Sequence, residues 1–196
     1  MVELTKRQAI EDVASELFRE HGYAGTSIRD IARALSVQGA SLYAHVTSKE
    51  DVLWAIVDRA ATRFEAAADA AEASTDARRP GDAGEALAAL VRAHVGVLTA
   101  DVDAAGVFVH EWRALGIEHR AGILARRDAY EARFRRRIED GIAVGAFAMT
   151  DPGVATRTVL SAMNGVAGWY DSNGRLPAGR IADHLVELTL RMVSNP

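Results

Sequence analysis

Apolar residues recur at helical spacing along most of this chain, and the elements they predict are all helices. Ile10, Val13, Ala14, Leu17 and Phe18 form one stripe, three or four residues apart as one face of a helix requires. Thr5 followed by Gln8 gives that helix a capping box, and Gly22 offers a left-handed stop. Ile28, Ile31, Ala32 and Leu35 make a shorter stripe behind Ser27, a cap with Asp30 three residues on. A third segment near residues 38–45 sets Leu42 and Val46 four apart. Ser48 then caps a long fourth helix, with Glu50 and Asp51 in its first turn where the helix dipole favours them. Its inner face is Val52, Leu53, Ile56, Val57, Ala60 and Phe64, and an alanine-rich run carries it to Arg78-Arg79-Pro80-Gly81.

The second half continues the pattern. Helices are predicted from about Ala83 to Ala100, from Val102 to Leu115, and from Ile117 to Val144, where Tyr130, Phe134, Ile138 and Ile142 repeat every four residues. Gly145 marks a turn, and Asp151-Pro152 is an N-cap with proline at the first helical position. Two more helices run from Gly153 to Tyr170 and from Pro177 to Val193. The expected fold is all-α with about nine helices: a three-helix segment over residues 1–47 and a helical domain over residues 48–196.

Composition agrees with helix, with few aromatics and much alanine in a chain that is 49% apolar. The absence of cysteine excludes disulfides and thiolate metal sites and fits a reducing cytoplasm. No uncharged apolar run approaches the roughly 20 residues that span a bilayer, and the first twelve residues lack a signal peptide's apolar core. A cytoplasmic protein with no membrane partner is expected. Net charge is −4, and residues 1–50 carry six Lys or Arg against seven Asp or Glu. Binding to random DNA, which rests on phosphate neutralisation, should therefore be weak.

Two short helices joined by a few residues nevertheless make a helix-turn-helix, whose second helix enters the major groove of DNA. The outward positions of that second helix are Gln38, Gly39, Ala40, Ser41, Ala44 and His45. None is the arginine or lysine that pairs with guanine; Gln38 suits an adenine, Ser41 either kind of base, and Ala40 or Ala44 a thymine methyl. Thr26 and Ser27 open the preceding helix, where free N–H groups favour a phosphate. The run Ala34-Leu35-Ser36-Val37, four residues, then Leu42 to Val46 and Lys49 resembles the DNA-binding region of the tetracycline-repressor (TetR) family, without gaps over roughly residues 5–60. The resemblance implies that Tyr43 and His45 hold the DNA backbone, that Lys49 meets a phosphate, and that Lys6 and Arg7 approach another. It also implies a homodimer on a palindromic operator. Two departures stand out. Ser36 occupies a turn position where the family usually has glycine, and Gly39 stands where a bulkier contact residue is common. Modest direct readout supplemented by DNA shape is the expectation.

No enzyme motif is present: no Gly-x-Ser-x-Gly elbow, no phosphate-binding glycine loop, no His-Glu-x-x-His helix. His110-Glu111 and Glu118-His119 invite a metal reading, but they are nine residues apart on a broken stretch and need not converge. No cofactor is expected. Phe108, Trp112, Tyr130, Phe134, Met163 and Trp169 are large apolar groups suited to lining an effector pocket, with ordinary core as the alternative for each. A second resemblance bears on the effector. Phe108–Gly116, Arg126–Phe147 and Asn164–Tyr170 are similar to the regulatory domain of TetR-family members that sense acyl-coenzyme A thioesters of fatty-acid or steroid degradation. Such a ligand would want arginines for its phosphates, and Arg133 and Arg137 flank Phe134. The last two helices pair with their symmetry mates in the family. Val159, Met163, Val166 and Tyr170 on one, and Ile181, Leu185, Leu188 and Met192 on the other, are the expected dimer face. A ligand-responsive repressor is the function these features imply; a helical small-molecule-binding protein without a DNA role is the alternative.

Overall fold

The computed structural model describes residues 2–79, 81–148 and 151–194, with side chains from Lys6 onward. Among the described residues every regular element is a helix, as the periodicity predicts. The chain forms two compact units. One comprises Met1–Ala61 with Asp101–Ala125, the other Thr62–Ala100 with Arg126–Pro196. The first unit thus takes in a second-half segment that the sequence assigns to the C-terminal domain.

In the first unit, α1 (Val2–Gly25) breaks at Gly22, whose φ of 75° and ψ of 157° are open to glycine alone. Thr5 lies within this helix rather than before it, its side chain outside the described residues, and the Gln8 amide donates to Asp12 at 2.7 Å. The expected opening capping box is therefore replaced by a longer helix. The short α2 (Ile28–Ala34) and α3 (Gly39–Leu42) follow, then α4 (Lys49–Arg78), which continues into the second unit. Ser48 caps α4 by accepting the Asp51 N–H at 3.0 Å. Ile10, Ala14, Phe18, Ile31, Leu42, Val46, Leu53 and Ile56 are all buried, so the predicted stripes meet in one core. Apart from Ala14, each such side chain contributes about 1.5–3 kcal/mol when fully buried. Against α1 packs α6 (Val102–His110), with the Arg19 side chain lying along Gly106. The helix expected to run to Leu115 stops at His110 and continues as a 3₁₀ turn, Trp112–Ala114.

In the second unit, α5 (Ala83–Ala100) is the central element, packed mainly on α10 (Ala178–Val193) and also on α8 (Pro152–Asn164) and α9 (Val166–Trp169). It alone among the described helices is long and apolar enough to cross a membrane, but eight of its side chains are buried in this unit's core. The predicted helix over 153–170 is interrupted at Gly165 between α8 and α9. Asp151 caps α8 as expected, accepting the Val154 N–H at 2.8 Å. The long α7 (Ile117–Ala143) begins in the first unit and ends in the second; in its last turn, at Gly141, the Phe147 ring folds back so closely that a Cβ would lie 2.1 Å from it. Only glycine fits there.

Candidate nucleic-acid interface

The turn between α2 and α3 is built by local rules. Ser27 caps α2 in a full capping box with Asp30: its hydroxyl accepts the Asp30 N–H, and the Asp30 carboxylate accepts the Ser27 N–H at 2.9 Å. The Ser27 hydroxyl also donates to Asp30, and together these bonds hold the Asp30 carboxyl below the usual carboxylate range, with Arg33 at 2.9 Å adding to the effect. At the other end the Ser36 N–H reaches the Arg33 carbonyl and the Val37 N–H reaches the Ala32 carbonyl, each at 3.0 Å. This is a Schellman stop. Its left-handed residue is Ser36, with φ 58°, so the position where glycine is usual does require a left-handed backbone.

Beyond this turn, Leu42 and Val46 are buried, at 1% and 2% exposure, and anchor the reading segment to the core. Gln38, Ala40, Ser41, Tyr43 and Ala44 stand outward, while Gly39 and His45 are half-buried. Tyr43 is 60% exposed, so it is not a packing residue. From Ala34 to Ser48 there is no Asp, Glu, Lys or Arg. The outward face of the reading segment is polar only through amide, hydroxyl and imidazole groups.

The cations lie beneath it. Lys49 Nζ donates to the carbonyls of Tyr23 and Thr26, both at 2.8 Å, and sits 4.0 Å from the centre of the Tyr23 ring. Arg7 donates to Asp51 at 2.8 Å, to Glu11 at 3.1 Å and to the His45 carbonyl at 3.5 Å. Partial burial opposes ionisation of Asp51, but the Thr47 N–H and the Arg7 guanidinium outweigh it and hold its pKa below the usual value. Arg59 binds the buried Glu11 at 2.7 Å. These links brace α1, the reading segment and the start of α4 against one another. Arg7 is thus a strut of the fold, not the open phosphate contact that its place in α1 suggests. Thr26 also needs correction: it is buried at 3% exposure, its hydroxyl on the Gly22 and Leu17 carbonyls and its N–H on Tyr23, which leaves no donor for a phosphate. Lys6 and Arg29 are exposed and, among the described residues, form no ion pair.

The predicted effector residues are divided between the two units. Phe108 and Trp112 are buried in the first unit, whereas Tyr130, Phe134 and Met163 belong to the second. Trp169 is 59% exposed and so lines no interior. Arg133 binds Asp69 and Glu72, and Arg137 binds Glu72 at 3.3 Å and Asp76 at 3.5 Å, in a ladder of ion pairs between α7 and α4 that Arg126 and Glu65 extend. Their guanidinium groups are taken by carboxylates of the same chain. At the centre of this unit lies a group that the sequence reading missed. His94, buried on α5, is 3.1 Å from the Tyr130 hydroxyl through Nδ1 and 3.2 Å from Asn164 Oδ1 through Nε2. With Asn164 as acceptor, Nε2 carries the proton and Nδ1 accepts from Tyr130. Phe64 and Phe134 pack their rings around it, 4.8 and 6.2 Å from the imidazole centre. Burial pushes the His94 pKa down to about 4 and the Tyr130 hydroxyl up. The one available signal was a histidine in line with the apolar stripe of Leu87, Leu90, Val91 and Leu98.

Four of the eight expected dimer residues, Val159, Met163, Val166 and Ile181, are buried within the protomer itself. An apolar stripe of a helix packs first on its own neighbours, which is why these are core and not interface. Tyr170 and Leu185 are half-buried, and Leu188 and Met192 are exposed at 61% and 43%. His119 stacks on Trp54 with ring centres 4.2 Å apart and contacts Glu50 at 2.9 Å. Among the described residues no group of three or more His, Asp or Glu is arranged to hold a metal.

A recognition segment raised on buried anchors and braced from below, together with a separate helical core, defines a helix-turn-helix DNA-binding regulator. Residues 10–56 match the family model for bacterial regulatory proteins of the tetR family, and residues 80–193 match the tetracyclin repressor-like C-terminal domain. The second match alone covers more than half of the chain, and the protein belongs to the TetR family of transcription regulators. A crystal structure of a tetR-family regulatory protein from Rhodococcus RHA1 superposes with a TM-score of 0.83 at 32% identity, over 97% of each chain. AibR in complex with isovaleryl coenzyme A and operator DNA superposes at 0.77 with 28% identity, over 93% of this chain and 96% of AibR. The transcriptional repressor ComR of Escherichia coli is 42% identical over 60 residues, 31% of this chain and only 29% of ComR, so the chain spans under a third of that relative's length.

Proposed function

We propose that this chain is a one-component repressor that binds a palindromic operator as a homodimer and releases it when a small effector binds the helical core. The observation that carries this reading is the exposed set Gln38, Ala40, Ser41, Tyr43 and Ala44, held on the buried Leu42 and Val46 and tied to Arg7 through the His45 carbonyl. A surface fixed so firmly yet left bare is suited to reading a partner. Gln38, Ala40 and Ser41 face base edges, Gly39 lets the backbone approach, and Tyr43 and His45 hold the DNA backbone beside Ser27. Lys49 acts by fixing the start of α2 and keeps one N–H for a phosphate. Such a protein works in the cytoplasm, where its DNA is.

One short recognition helix binds weakly, and two-fold symmetry doubles the contacts. The exposed Trp169, Leu188 and Met192, with Tyr170 and Leu185, supply an apolar face for a second copy. For the effector, the full-length likeness to AibR and the Phe108–Gly116 and Asn164–Tyr170 motifs favour an acyl-coenzyme A thioester. Its phosphates would need cations other than Arg133 and Arg137 unless those leave their carboxylates. Whatever its identity, the effector must prefer the released form by a few kcal/mol, since equal affinity for both forms shifts nothing.

The test is selection of duplexes from a random library by purified protein at near-physiological salt. An enriched palindrome, released by isovaleryl coenzyme A or a longer thioester, is the expected result. Only weak, salt-labile binding without enrichment would favour a helical small-molecule-binding protein in which the head reads nothing.

A further inference from the structure

Alongside the reading segment runs a notch of about 190 Å³, floored by Ile10, Leu35 and Leu42, with Val37, Ser41 and Lys6 on its edge. Val37 is apolar and yet 45% exposed, and it borders the same notch as Ser41. Ala40 and Ala44, both exposed, make a second small-residue row one position over. From Ala34 to Ser48 no side chain is charged, and Gln38 is the only one able to pair bidentately with a base. Exposed apolar groups on a surface meant for DNA meet one apolar group in the major groove, the 5-methyl of thymine. Guanine, cytosine and adenine edges offer only polar groups there, so an exposed apolar side chain gains from a thymine and from no other base. Lys6, exposed beside the notch, is placed for the flanking phosphate.

We infer that the protein reads its operator chiefly through thymine methyl groups, with the Val37–Ser41 edge of the notch receiving one of them in each half-site. This rests on the DNA-reading role proposed above and names what that surface recognises.

The experiment starts from the duplex that the full-length protein selects, with each thymine then replaced in turn by deoxyuridine, which removes the methyl and nothing else. Burial of one methyl-sized group predicts binding about fourfold weaker at each thymine that is read. Val37→Ser should weaken binding to the parent duplex by a similar factor and abolish the deoxyuridine penalty at one thymine per half-site. If the selected duplex binds equally well with every thymine replaced, the inference is wrong while the regulator reading stands. If deoxyuridine weakens binding but Val37→Ser keeps every penalty, the notch is not the methyl site. If no duplex is selected at all, both fall.

Discussion

The two units use polarity in opposite ways. In the reading head Arg7 and Lys49 are spent on carbonyls and carboxylates that hold the turn and α4 in place, and the reading segment from Ala34 to Ser48 is uncharged. In the other unit the charges lie along the α4–α7 seam, and a neutral triad of His94, Tyr130 and Asn164 sits at the centre. An ion-paired base fixes geometry at the cost of cations for DNA. A neutral buried network makes one packing of the core unique, provided that every member stays satisfied. A lysine or arginine in the sequence is therefore no index of where a partner binds, because in both units the protein is that partner.

The sharpest way to break this comparison is acid. His94 has its pKa lowered to about 4 by burial, against about 6.5 in an unfolded chain. The unfolded state therefore takes up the proton first. Stability from His94 is complete above about pH 6.5 and falls as the pH drops towards 4, by about 3 kcal/mol in all. Urea unfolding measured at pH 7, 6, 5 and 4 should show this loss, and His94→Gln should flatten it while lowering stability at pH 7. An unchanged pH profile in the variant would mean that the triad is not the acid-sensitive element.

Next in size are the cations. Lys49→Ala removes two charge-assisted hydrogen bonds and a ring contact, and should cost about 2 kcal/mol of stability. DNA affinity should fall with it, because α2 loses its brace. Arg137→Ala opens a seam of partly exposed pairs and should cost about 1 kcal/mol or less. Equal losses from the two would erase the distinction between a cation that positions a site and one that decorates a seam. Tyr43→Ala, at an exposed position, should weaken operator binding about tenfold, the worth of one hydrogen bond to a charged phosphate, with no change in thermal stability. Affinity untouched by Tyr43→Ala would mean that the head docks in another orientation.

How much of this was legible beforehand follows from range. Caps at Ser27, Ser48 and Asp151, the stop at Gly22 and the inner face of α4 depend on residues within a turn or two, and pattern reading found them. The breaks at Glu111 and Gly165 carry no comparable local signal. Arg133 and Arg137 suggest cations for a ligand's phosphates in the sequence because their carboxylate partners lie more than sixty residues away on α4. Val159, Met163 and Ile181 were rightly read as apolar, but periodicity does not say whether a helix's own neighbours or a second copy covers a stripe. Thr26 misleads at short range: a threonine before a helix looks like a surface cap until the break at Gly22 brings the carbonyls of Leu17 and Gly22 onto its hydroxyl.

The smallest effect probes the head at its most strained point. Ser36 holds φ 58° in the Schellman stop between α2 and α3, a region where a side chain costs roughly 1 kcal/mol that glycine avoids. Two bonds enforce it, from the Ser36 and Val37 N–H groups back to the Arg33 and Ala32 carbonyls, and Val37 directly after it borders the notch. Ser36→Gly should therefore stabilise the head by about 1 kcal/mol, less the greater freedom that glycine confers on the unfolded chain. It should also leave operator preference unchanged, because the left-handed turn survives. A variant that gains stability yet changes which duplex is selected would show that the Ser36 hydroxyl touches DNA. The turn would then be part of the reading surface and not just its support.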